Sequence, residues 1–320
     1  MSLQSRNQDD GATPSRRQLL VRGGMALGGV IVSPCCPLLA QMLAILDVAY
    51  AASMGSLMEG PVKRAAATSL KLEVRGRGQG ASALGQLIAS GSITPDVFMS
   101  ITATPMQTVF QAGKASHAEP IARTEMVIAY SPKSRFAPRL DAAAKGAEPW
   151  WKVLQEPGFR FGRSDPAADP QGRNIIFSMM LAGKLYGQPN LVDKVLGPTV
   201  NHQQINMEGS LQSRLQTAEL DAAAAYRVQP GAFHLPYISL PAEVNLSGED
   251  VHTKHPEVTL LVGSRTFVPE PLIFYAAVLN EARNSPAASA FVAWLKGPEA
   301  QTLFHQNAFD APGHAAGLHA

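Results

Sequence analysis

Between residues 46 and 101 the chain alternates short apolar runs with helical stretches, and this alternation restricts the fold more than any single residue does. Leu46-Asp47-Val48-Ala49-Tyr50-Ala51 is a buried-strand pattern running into the small residues Ala52 to Ser56. Residues 57–67 carry helical spacing, and Leu70-Lys71-Leu72-Glu73-Val74 alternates as a strand. Gly76 to Gly80 reads as a turn, Ala83 to Ala89 as a helix closed by Gly91, and Pro95 to Ile101 as the next strand. A βαβαβ order of this kind favours a parallel sheet covered by helices. Further strands are expected at Met126–Tyr130, Leu220–Tyr226, Tyr237–Leu240 and Val258–Val262. Helices are expected at Glu148–Leu154, around Ile175–Met180, and at Pro286–Leu295 behind an Asn284-Ser285 cap. Trp150, Trp151 and Trp294 are read as packing residues.

The beginning of the chain is of another kind. Ser15-Arg16-Arg17-Gln18-Leu19-Leu20 opens a stretch that has no charge from Gly23 to Leu46. A basic start, an apolar run and paired arginines together form an export signal of the twin-arginine type, assigned to residues 1–45. Its glycines and prolines make it a poor membrane helix. Cys35 and Cys36, the two cysteines of the chain, fall inside it, so the exported part holds neither disulfide nor thiolate metal site. Four of the 27 basic and two of the 25 acidic residues also fall there, leaving the remainder with no net formal charge. A neutral chain argues against a nucleic-acid partner, and any anion site in it must be built from a few placed donors. About 275 residues remain, close to the size at which one core divides in two. Two α/β lobes are therefore expected, with ligand held in the crevice at strand ends.

Several local sequences, in order, resemble the periplasmic molybdate/tungstate-binding proteins of ABC importers, which have the type II solute-binding fold. They are Val48 to Leu57, Gln86 to Gly91 with Pro95 to Ser100, and Phe161-Gly162-Arg163-Ser164-Asp165-Pro166-Ala167-Ala168-Asp169-Pro170. Glu219 to Tyr226, Leu240 to Ser247 and Phe291 to Glu299 complete the set. The resemblance implies a two-lobed α/β protein, each lobe a mainly parallel sheet flanked by helices. Lobe one would hold residues 46–127 plus 241–320, and lobe two 128–240. It further implies a monomer without cofactor or catalysis, which closes on a tetrahedral oxyanion (molybdate, tungstate or sulfate) and docks on an ABC permease.

The resemblance also implies a ligand set. Gly55 and Ser56 would face the anion from the first strand-to-helix turn, and Ala81 or Ser82, one register apart, from the second. Backbone amides at such turns combine free donors with the positive end of a helix dipole. Asp169, followed by Pro170, has the form of a helix cap; in the tungstate-type relatives the matching acid bonds the metal centre directly. Tyr226 would donate its hydroxyl, with Ser100 and Arg227 as weaker candidates. Each charge-assisted hydrogen bond is worth about 1.5–3 kcal/mol, so five to seven together offset dianion desolvation.

A competing reading starts from Gly76-Arg77-Gly78-Gln79-Gly80-Ala81, which fits a loose dinucleotide fingerprint and suggests an exported NAD(P)-dependent oxidoreductase. His252 and His255 beside Glu257 have zinc-like spacing but no helical frame, and no nucleophile elbow accompanies the serines and histidines.

Overall fold

The computed structural model of the protein describes residues 43–320. Apart from its last three residues, the expected export signal lies outside the described residues. Of those three, Ala44 and Ile45 already belong to the first strand. The strands are β1 Ala44–Ala51, β2 Leu72–Gln79, β3 Val97–Ile101, β4 His117–Arg123, β5 Met126–Tyr130 and β6 Phe161–Gly162. They continue as β7 Ala222–Tyr226, β8 Tyr237–Ser239, β9 Leu260–Val262, β10 Arg265–Phe267, β11 Ile273–Val278 and β12 Leu318–His319.

Two sheets carry the two lobes. The first has the order β12-β4-β11-β3-β1-β2, the second β6-β7-β5-β8. In the first, β1, β2, β3 and β4 share one direction, while β11 is inserted antiparallel between β3 and β4. In the second, β6, β7 and β8 share a direction and β5 runs against them. Each sheet is thus mainly unidirectional, as expected, but each is split by a reversed strand, and in the first sheet the edge strand β12 is reversed as well. β11 was not among the expected strands, although Ile273-Phe274-Tyr275-Ala276-Ala277 is the continuous apolar run of a strand buried on both faces.

The period of two is visible in the packing. Leu46, Val48 and Tyr50 of β1 face the large core shared with the second sheet. Ala49 faces the other way, with Phe98, onto Leu84, Ile88 and Met106 of the helices Ala81–Ala89 and Thr104–Gln111. In β7 the even-numbered Ala222, Ala224 and Tyr226 join the large core, and Ala223 and Ala225 pack on Leu211 and Leu215. Four consecutive alanines are weak strand formers. Here they form one because β5 and β6 pair with both edges.

A helical stretch runs continuously from Ala52 to Leu70, with π-type turns at Met58–Val62 and Ala66–Leu70. It starts at Ala52, so Gly55 and Ser56 lie a full turn beyond the strand end. β2 continues to Gln79, so Gly76 and Gly78 are strand residues and not a turn. A Cβ at Gly78 would stand 2.7 Å from the Tyr50 ring of the neighbouring strand. These glycines make room for an aromatic face, and the dinucleotide reading loses its strand-to-helix turn.

The chain crosses between sheets at Thr124-Glu125, where Met126 N donates to Asn245 O (2.8 Å) and Asn245 Nδ2 to Glu125 Oε2 (2.9 Å). Beyond this crossing, Glu257 pairs with Lys184, and Phe267 lies under the Arg173 guanidinium, 4.3 Å from its ring centre. Both partners belong to the helix Pro170–Leu185 of the second lobe. Gly78→Ala is expected to lower stability by about 1–3 kcal/mol through overpacking on Tyr50, measured by urea unfolding.

Candidate functional site

The helix Pro170–Leu185 points its first turn at the junction of the lobes. Asp169 is its cap: Oδ1 accepts from Gln171 N at 2.9 Å, and Pro170 takes the first helical position. The loop before it packs tightly against this turn. A Cβ on Gly172 would fall 2.3 Å from Ser164 O, so only glycine lets the Ser164–Pro166 segment close over the helix. Two direct contacts join the lobes here: Ala83 N donates to Ala168 O (3.2 Å), and Arg173 Nη2 donates to Ser82 Oγ (2.8 Å).

Between these elements is a cavity of about 640 Å³, lined from lobe one by Ala52, Gly80 and Ala83 and from lobe two by Ser164, Asp169 and Glu208 among others. A larger cavity of about 790 Å³, near Met179, Lys184 and Leu260, opens on lobe two. The smaller one is the candidate site, because both lobes line it and the helix start faces it.

Glu208, which the sequence reading passed over, is buried on the same cavity wall as Asp169. Burial pushes Glu208 well above its usual range and the Asp169 charge adds to this; burial likewise raises Asp169. Glu208 therefore keeps its proton under conditions where a solvated carboxyl would have lost it. Amide groups surround it: Gln229 Nε2 donates to Glu208 Oε1 at 3.0 Å, and Gln171 Nε2 donates to Gln229 Oε1 at 3.1 Å. Arg163, a buried guanidinium, steadies the loop leading to Glu208 through Pro198 O, Thr199 O (3.0 Å each) and Gln204 Oε1 (3.2 Å).

The other expected residues divide into two groups. Tyr226 is fully buried at the end of β7; its hydroxyl accepts from Asn174 Nδ2 (3.0 Å), and burial, then the charges of Asp169 and Glu208, raise its pKa well above normal. Ala81 is buried at the start of its helix, and Ser82 meets Arg173. These stay at the lobe junction. Ser56 is exposed and its neighbour Gly55 half-buried, one turn away from the strand end. Ser53 sits at the turn instead, only 6% exposed, with a hydroxyl that has no partner in the protein. The Ala52–Met54 turn touches the Glu208–Ser210 turn, which brings Ser53 to the junction. Ser164, 2% exposed on the cavity wall, also has an unpartnered hydroxyl. Ser100 is structural, donating to Thr102 O at 3.0 Å inside the core. Arg227 faces away, paired with Glu125 at 3.5 Å and with Asp310, and so belongs to the crossing between lobes.

A second helix start nearby is already filled. Ala103 N and Thr104 N donate to Glu270 Oε1 at 3.1 and 3.0 Å, at the head of Thr104–Gln111. Arg173 is the buried cation near the site; with Asn174 it projects from the second turn of the Asp169 helix. The run Asp169-Pro170-Gln171-Gly172-Arg173-Asn174, polar for the start of a buried helix, was the available signal for it. Glu208 lies in a segment of no regular period and gave none.

The family described as bacterial extracellular solute-binding protein matches residues 46–310. The chain belongs to this family. Its role is therefore solute binding and not catalysis, and the oxidoreductase reading finds no support. The molybdate/tungstate-binding protein WtpA of Pyrococcus abyssi is 28% identical over 207 residues, 58% of this chain and 59% of the relative, so the chain spans under two thirds of that relative's length. A solute-binding protein of Halobacterium salinarum is 27% identical over 286 residues, 89% of each chain. Among solved structures, the Azotobacter vinelandii periplasmic molybdate-binding protein superposes with a TM-score of 0.60 at 19% identity, covering 82% of this chain and 98% of that one. The last likeness establishes the two-lobed fold.

A raised carboxyl pKa in the folded state contributes stability below the unfolded value and loses it as pH climbs through the folded value. For Glu208 the loss begins near the ordinary glutamate value of 4.5 and extends upward. Glu208→Gln, which keeps the acceptor for Gln229 and removes the titrating group, is expected to flatten the decline of the ligand-free protein's Tm between about pH 5 and 9. Thermal denaturation across that range measures it; an unchanged slope contradicts the raised Glu208 carboxyl.

Proposed function

We propose that this protein captures molybdate or tungstate outside the cytoplasm, between its lobes, and delivers it to an ABC permease. The observation that carries the reading is the Asp169–Glu208 pair at a helix start. The lining described for the cavity includes Asp165, Asp169 and Glu208 but no lysine or arginine. A simple dianion such as sulfate would be repelled there. Molybdenum and tungsten can expand from four to six oxygen ligands, which turns two adjacent carboxylates from a liability into bonds. The relatives named for molybdate and tungstate support the same choice. Ser53 and Ser164 supply free hydroxyls, the amides at Gly80 and Ala81 supply donors from lobe one, and Tyr226 and Arg173 stand behind the carboxyls.

Three carboxylates could instead favour a cationic solute, but among the described residues no three histidine, cysteine, aspartate or glutamate side chains converge as metal ligands. The lobes that close are the units built on the two sheets, with the second extended to include residues 251–267. The hinge comprises the 124–126 crossing, the 245–247 segment beside it and the return at 268–272, tied by Arg227 to Glu125 and Asp310. Closure follows because contacts from both lobes favour the closed form. Residues 1–45 serve as the twin-arginine signal that export requires, and the protein acts as a monomer.

Isothermal titration of ligand-free protein tests the reading. Tungstate and molybdate should bind with Kd of about 1 μM or tighter. Sulfate should bind about tenfold more weakly or not at all, and NAD(P) should give no heat. Equal affinity for sulfate removes the role given to the carboxyl pair. Asp169→Ala and Glu208→Ala should each cost about 10- to 100-fold in tungstate affinity and leave any sulfate binding unchanged or stronger.

A further inference from the structure

Far from the cavity, on the outer edge of the first sheet, β12 lies antiparallel to β4 and sets His319 directly across from His117. Their rings approach to 4.6 Å between centres, with Nδ1 facing Nδ1 at 3.3 Å. His117 Nε2 is in contact with Glu119 Oε1 at 2.9 Å, and Glu119 is held in turn by Lys296 Nζ on Oε2 at 2.5 Å. Lys296, and after it His117, keep the Glu119 carboxyl below its usual range, so it is an acceptor. In the neutral imidazole this contact places the His117 hydrogen on Nε2 and leaves Nδ1 as the ligating nitrogen facing His319.

We propose that His117 and His319 form a two-nitrogen chelate for a divalent first-row cation of the imidazole-binding class, such as Zn²⁺ or Cu²⁺. Two nitrogens bound tetrahedrally at 2.0–2.1 Å lie about 3.3 Å apart, which is the separation found here. A carboxylate on the far nitrogen of a ligating histidine fixes its tautomer and raises its basicity, the arrangement commonly found behind metal-bound imidazoles. Both imidazoles are solvent-accessible, which leaves the remaining coordination positions open to water. The backbone is set for this approach: Ala320 N donates to Ser116 O at 3.0 Å, and a Cβ on Gly317 would fall 2.9 Å from the His117 ring. Among the described residues no third ligating side chain joins them. The cation is therefore exchangeable and pins an edge strand; it is not a buried structural ion.

The test uses the untagged full chain with Cys35 and Cys36 changed to serine, so that thiolates do not compete. Zn²⁺ titration by calorimetry should reveal one site that His117→Ala and His319→Ala each weaken about tenfold or more, while His252→Ala leaves it unchanged. Cu²⁺ at one equivalent should give an electron paramagnetic resonance spectrum with two-nitrogen coupling, reduced in either variant. Glu119→Gln, which retains both imidazoles, should weaken Zn²⁺ by up to about tenfold. Failure of wild-type protein to take up Zn²⁺ below about 1 mM overturns the proposal. So does a loss confined to one histidine, or affinity unchanged in both variants. Circular dichroism of each variant separates a lost ligand from a lost fold.

Discussion

Two acids pressed together out of water are the costliest feature of this molecule, and much of the lobe junction exists to tolerate them. An uncompensated buried charge costs several kcal/mol, so Asp169 and Glu208 are acceptable only with a proton on one of them or a positive centre beside them. The glutamine amides, the glycine that lets Ser164–Pro166 close down, and the buried Arg163 all serve to hold that pair in register. The helix start beneath them adds a partial positive charge, which favours whichever carboxyl is ionised. Burial meets this requirement in the protein alone by raising Glu208 well above its usual range, so that it keeps its proton.

That same junction is where the lobes touch. Arg173 reaches Ser82 and Ala168 O reaches Ala83 N, so the geometry is that of a closed cleft. At the opposite side of the junction, Arg227 ties Glu125 to Asp310 beside the crossing strands. One positive group spans the mouth, the other the pivot. Motion between the lobes would break the first set of contacts and preserve the second.

Much of the architecture was legible from periodicity alone. β1, β3, β5 and β7 lie close to where the apolar runs placed them, and the Asp169-Pro170 cap is as read. Errors arose where register or long-range pairing decides. Ser56 was chosen, and Ser53 not considered, because Gly55 looked like the turn, whereas the helix starts three residues earlier. Glycines 76 and 78 looked like a loop because the strand that needs them bare, through Tyr50, is distant in sequence. Arg227 adjoins Tyr226 in sequence, but it stands in the turn after β7, where Glu125 and Asp310 hold it. Glu208 was invisible since nothing local distinguishes it from a surface acid; only the fold carries it to Asp169.

The carboxylate of Glu270 has a consequence of its own. By occupying the amides at Ala103 and Thr104, it acts as a built-in surrogate guest for the third helix that opens at this end of the sheet. A protein with several dipole ends converging on one space could otherwise accumulate multiple counter-ions or hold one in several poses. With that berth taken from within, the amides at Ala103 and Thr104 are closed to any anion from solution.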